Sequence, residues 1–134
     1  MMRAVPDSND IADRADIADL VTDFYSRAFR DELLGYVFVN VAEMDLSAHL
    51  PTMCDFWETI LLRSGAYRGS AFNPHLALHR DVPLTRRHFA RWLAIWCVTV
   101  DDRFQGPVAD AAKAHATRVS ESFQRRLAAI DGVT

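Results

Sequence analysis

Apolar residues recur at three- and four-residue steps through most of this chain, the period of helices that bury one face. Ile17, Leu20, Val21, Phe24 and Ala28 form such a stripe. They predict a helix over residues 16–30, with Asp16 as its N-cap and Tyr25 at the edge of the stripe. The apolar run at 33–39 has strand-like composition but no partner strand in a helical chain, so it reads as a short helix or turn against the core. A polar connector at 40–47 leads into a second long helix, residues 46–63, with Leu46, Leu50, Met53, Phe56, Trp57, Ile60 and Leu61 inward. Pro51 lacks an amide hydrogen and crowds the preceding turn, so regular helix is expected only from about Leu50. Ser64 and Gly65 are expected to end it, glycine taking the left-handed cap.

Residues 64–84 lose the pattern. Gly65, Gly69, Pro74 and Pro83 leave room for one short helix, from about His75 to His79. Irregular stretches of this length in compact domains are usually functional. Thr85 then caps a third long helix over 86–100, whose face is Phe89, Trp92, Leu93, Trp96 and Val100. After a turn at 101–106, Pro107 opens a last helix with the stripe Val108, Ala112, His115, Val119, Phe123 and Leu127, stopping near Gly132. The expectation is one all-α domain at 14–130, between a flexible N-terminal segment, 1–13, and a short tail, 131–134. Four substantial helices fit either a bundle or globin-like packing.

Composition narrows the classes. A chain of 134 residues suits a single core, and 25% charged residues is ordinary for a globular domain. With a net charge of -3 and no basic block, long-range attraction to nucleic acid is not expected. No apolar run is long enough to span a membrane, and the first residues lack the apolar stretch of a signal peptide. Cys54 and Cys97 lie in apolar periodic segments outside any CxxC pair and read as free thiols, which places the chain in the reducing cytoplasm.

The chemistry-bearing residues are few. There is no nucleophile elbow, phosphate-cradling glycine loop, HExxH helix or kinase signature. His75 sits in the run Tyr67-Arg68-Gly69-Ser70-Ala71-Phe72-Asn73-Pro74-His75-Leu76-Ala77-Leu78, just before a helix rich in aromatics. That context suits an axial ligand for a large flat cofactor. A rival is zinc held by His75, His79 and Asp81, although no acid lies between the histidines as in HExxH. His115 reads as a core or boundary histidine and His88 as exposed. His49 either swings over a pocket mouth or sits in solvent. Core packing accounts for Phe24, Tyr25, Phe56, Trp57 and Trp92. Tyr25 and Trp92 each carry a polar hydrogen that needs a partner when buried, and two such donors in one cavity would suit a polarised small ligand.

Taken in order, Phe24-Tyr25, Leu34-Gly35-x-x-Phe38, His49-Leu50-x-x-Met53-x-x-Phe56-Trp57, Tyr67-Arg68-Gly69, His75-Leu76-Ala77-Leu78 and His88-Phe89-x-x-Trp92-Leu93 resemble the truncated haemoglobins, specifically the third group. The resemblance covers roughly residues 14–128. The Gly-Gly pairs of the other groups are absent, as in the third group. The resemblance implies a truncated globin fold, a two-over-two helical sandwich around haem b. It makes His75 the proximal iron ligand. It makes Tyr25 and Trp92 the distal hydrogen-bond donors, His49 a gate and Met53 an apolar distal neighbour. Phe24, Phe38, Phe56, Trp57 and Phe89 then line or brace the cavity. The chain departs from some relatives, which are shorter there, in the segment His79-Arg80-Asp81-Val82, from which Arg80 is expected to reach the haem propionates.

Oxygen, carbon monoxide and nitric oxide are the implied ligands, with a reductase as partner. Each distal donor would stabilise charge on a bound ligand by about 1–3 kcal/mol. Nitric oxide dioxygenation and peroxidase-like turnover stay open as activities, with His49 as acid/base but no arginine evident beside it. A cofactor-free helical interaction module, its aromatics all core, is the alternative from another class.

Overall fold

The computed structural model describes residues 9–63, 65, 67 and 69–132. Residues 1–8 of the expected N-terminal segment, Arg68 of the Tyr67-Arg68-Gly69 motif, Ser64 and residues 133–134 of the expected tail lie outside them. Six α-helices follow in order: α1 (Arg14–Arg30), α2 (Glu32–Gly35), α3 (Leu46–Leu62), α4 (Phe72–Asp81), α5 (Arg86–Arg103) and α6 (Pro107–Gly132). A π-helix, Tyr36–Val41, continues from α2. No strand occurs among the described residues.

α1 packs on α3 and α5 on α6, and the pairs meet through α1 against α5 and α3 against α6. This is the two-over-two arrangement. The helices approach closely because α6 presents Ala109, Ala112 and Ala116, and α1 presents Ala28, all essentially fully buried. Larger side chains fill the centre: Ile17, Leu20, Val21, Phe24, Trp96 and Val100. Trp96 stacks on Trp57 with ring centroids 4.4 Å apart and gives its indole N–H to the Ala112 carbonyl at 3.2 Å. A buried indole donor needs such a partner.

Helix ends show where the pattern of apolar positions falls short. Asp13, not Asp16, caps α1, accepting from the Asp16 amide at 3.0 Å. α3 is regular from Leu46, earlier than Pro51 suggested. Asp45 caps Ser47 and Ala48, so the first turn is secured ahead of the proline. At its far end Arg63 itself takes the left-handed conformation, φ 59°, ahead of Gly65. α4 begins at Phe72, three residues before His75. Pro74 falls in its first turn, where an amide hydrogen has no helical partner to lose. The buried stripe of α6 runs through Ala109, Ala112, Ala116, Ser120, Phe123 and Leu127, while His115 stays at the boundary.

Two glycines are required by close approach. A β-carbon on Gly35 would lie 2.6 Å from the Phe29 carbonyl oxygen, so glycine lets α2 fold tightly against the end of α1. Gly106, at φ +138°, leaves room for Asp10, whose carboxylate accepts from the Val108 and Ala109 amides at 2.8 and 2.7 Å. That carboxylate supplies the N-terminal cap of α6 from the other end of the chain. Asp31 caps α2 and pairs with Arg91 of α5, joining the α1–α2 corner to the second helix pair.

Candidate functional site

Between the helix pairs and α4 lies an apolar cavity of about 430 Å³. That is within the roughly 300–1,000 Å³ typical of small-molecule and cofactor sites. Phe24, Tyr25, Phe38, His49, Met53, Phe56, Trp57, His75, Phe89 and Trp92 all line it. The spacing of these residues over three long helices and two short ones is what brings them together. Arg80 is exposed and is not among the lining residues.

His75 stands on α4, where its Nδ1 is 2.7 Å from the carbonyl oxygen of Ala71, one turn earlier. A carbonyl only accepts, so Nδ1 must carry the hydrogen and Nε2 keeps its lone pair. Burial lowers the His75 pKa and favours the neutral ring, an effect that the Ala71 hydrogen bond only partly offsets. A neutral imidazole whose second nitrogen is held by a backbone carbonyl is the usual state of a metal-ligating histidine. The ring packs on Phe123 of α6 at 4.9 Å, and Phe123 in turn meets Phe72 at 5.4 Å. The Arg126 guanidinium lies 3.7 Å above the Phe72 ring, closing this side of α4.

His79 does not join His75. Its Nε2 is 3.0 Å from the Asp131 carboxylate, and its Nδ1 accepts the Leu84 amide at 2.9 Å. Both nitrogens are therefore in use at the end of α6 and the α4–α5 connection. No group of three histidine, cysteine or acidic side chains able to hold a metal occurs among the described residues. His49, His75 and His88 line the cavity, and His75 is the one whose Nδ1 is held by a backbone carbonyl, which leaves its Nε2 lone pair in an apolar, aromatic-walled space. Such a donor set fits an iron porphyrin, which takes a single axial histidine and buries a broad apolar ring.

Tyr25 and Trp92 add two donors to the wall. Tyr25 is buried, with its ring edge-on to Phe24 at 5.1 Å, Phe38 at 5.8 Å and His49 at 6.1 Å. Burial pushes its phenol pKa well above the ordinary value, so it remains a hydroxyl. Trp92 lies parallel to Trp96 at 6.3 Å and edge-on to Phe24 at 6.1 Å. Trp96 uses its N–H on Ala112, whereas neither the Trp92 N–H nor the Tyr25 hydroxyl has a hydrogen-bond partner among the described residues. His49, half-buried on α3, has its pKa lowered by burial. It completes this group.

Several lining residues carry no signal of their own in the sequence. Ala71 acts through its carbonyl, which any residue possesses. Phe123 was legible only as a member of the α6 stripe. Trp96 also lines the cavity. His88, expected in solvent, lines the cavity one turn before Trp92. Its four-residue separation from Trp92 on one helix was the available clue.

A search of solved structures finds this chain similar to the group III truncated hemoglobin from Campylobacter jejuni. The TM-score is 0.79 at 23% identity, over 90% of this chain and 94% of that one. No protein-family model and no curated protein matches the chain. The structural likeness establishes the truncated globin fold. No helix among the described residues is long and apolar enough to cross a membrane.

Proposed function

We propose that this chain is a haem b protein that binds oxygen, carbon monoxide and nitric oxide, with His75 as its single protein ligand to iron. The observation that carries the reading is the 2.7 Å contact between His75 Nδ1 and the Ala71 carbonyl, which leaves the Nε2 lone pair beside an apolar cavity of about 430 Å³. When bound, haem supplies an iron with one open coordination position for a diatomic ligand.

Each cavity residue then has a definite task. The Ala71 carbonyl orients the His75 ring and raises its basicity. Phe24, Phe38, Met53, Phe56, Trp57 and Phe89 exclude water and pack on the flat ring. Tyr25 and Trp92 hold unpartnered donors for a ligand that gathers negative charge, each stabilising it by about 1–3 kcal/mol in a dry site. His49 borders the same space on α3 and governs entry. The neutral Tyr25 hydroxyl keeps its proton and acts by hydrogen bonding rather than by acid catalysis. Ligand retention of this strength suits reaction with nitric oxide better than oxygen delivery. The free thiols of Cys54 and Cys97 suit a reducing cytoplasmic setting.

The test is spectroscopic. Full-length protein expressed with ample haem should be coloured, bind one haem per chain, and shift its main absorption band when reduced and exposed to carbon monoxide. Folded protein that stays colourless under those conditions overturns the proposal and favours a cofactor-free helical module.

A further inference from the structure

His88 is held by the opposite logic to His75. The Thr85 amide donates to His88 Nδ1 at 2.9 Å, and the Thr85 hydroxyl lies at the same distance. An amide N–H only donates, so Nδ1 carries the lone pair and Nε2 carries the hydrogen. Nε2 has no hydrogen-bond partner among the described residues. The ring lines the cavity on α5, at the end formed by the α4–α5 connection. The lining residues there are Asp81, Leu84 and His88. Asp81 offers only acceptors and Leu84 has no polar side-chain atom, so His88 is the one side-chain donor among the described residues that line this connection.

We infer that His88 recognises a carboxylate on the edge of the molecule that fills the cavity, donating to it through Nε2–H. The inference rests on the haem reading, because haem b is an apolar disc with two propionates on one edge. Arg80, the partner expected from the sequence, is exposed and off the cavity, whereas His88 is on it. The Thr85 contacts fix both the ring and its tautomer before anything binds, so no ordering of a long flexible side chain is required. His88 thereby fixes which way round the ring enters.

The experiment is a chemical double cycle on the full chain. Wild type, His88→Asn and His88→Gln are each loaded with haem b or with haem whose propionates are methylated. Loss of porphyrin to an excess of an apoglobin scavenger is then timed. Asparagine keeps an acceptor where Nδ1 stands, and so keeps the Thr85 cap, but does not reach as far as Nε2. His88→Asn should lose haem about tenfold faster than wild type, equivalent to about 1.4 kcal/mol. It should lose the dimethyl ester at the wild-type rate. His88→Gln, whose amide reaches the Nε2 position, should recover at least part of the retention. Equal acceleration for both porphyrins would show that His88 acts only as a helix cap, and no acceleration for either would show that it contacts nothing. Both results overturn the assignment. Wild type that binds neither porphyrin overturns the haem reading itself, and this assignment with it.

Discussion

The two walls of the cavity are built in different ways. On the α1, α3 and α5 side, Phe24, Trp57, Trp92 and Trp96 interlock ring against ring, and Tyr25 and Trp92 keep donors without partners among the described residues. On the other side α4 rests on α6 through Phe72, His75 and His79, and its functional group is a lone pair. The first wall gets its precision from burial, since fully buried side chains have one packing arrangement. The second gets it from backbone hydrogen bonds, the Ala71 carbonyl for His75 and the Leu84 amide for His79. The walls should therefore respond differently to substitution.

The largest effect is expected in the aromatic wall. Trp96→Ala removes the middle ring of the stack and its hydrogen bond to the Ala112 carbonyl, and should cost about 3–5 kcal/mol of global stability. Chemical denaturation reads this directly, and a loss below about 1 kcal/mol would show that the stack is not the core. His79→Ala should cost about 1–3 kcal/mol, because the Leu84 amide loses its acceptor. Here the damage should stay local, with amide exchange quickening in α4 and the α4–α5 connection but not in α1 or α5. Uniform quickening would erase the distinction between the walls.

How legible each wall was in the sequence follows the same division. The aromatic wall announces itself, since Phe24, Trp57, Trp92 and Trp96 sit on stripes whose period alone predicts a buried face. The α4 side was harder. Pro74 and the glycines suggested a short helix around His75, but a proline in the first turn ends nothing, and α4 runs from Phe72 to Asp81. The π-helix at Tyr36–Val41 was read only as a short helix or turn, because one extra residue per turn leaves no mark in so short an apolar run. The groups that set the histidine tautomers are backbone atoms of Ala71, Leu84 and Thr85, and backbone atoms have no signature in residue type. His88 looked like a surface residue because it occupies the first turn of a helix, and only the fold shows that this turn borders the cavity.

Smaller effects probe the donors themselves. Tyr25→Phe and Trp92→Phe keep the ring packing and remove one donor each. Each should speed oxygen dissociation from the ferrous protein about tenfold, equivalent to about 1.4 kcal/mol. Unchanged rates in both, measured by stopped-flow, would mean that the unpartnered donors do not meet the ligand. The smallest effect is expected at His49. His49→Leu should change the ligand association rate a few-fold, within the roughly one to three decades over which on-rates usually vary among related variants. It should leave the ferrous spectrum unaltered. A changed resting spectrum with unchanged association would place His49 on the iron instead of at the entrance.

The central claim is that His75 Nε2 is the iron ligand, and His75→Gly tests it most directly. The variant, loaded with haem, should show a shifted or missing main absorption band, and added imidazole should restore the wild-type ferrous and carbonyl spectra by occupying the vacated space. A variant whose spectra match wild type without imidazole would contradict the account.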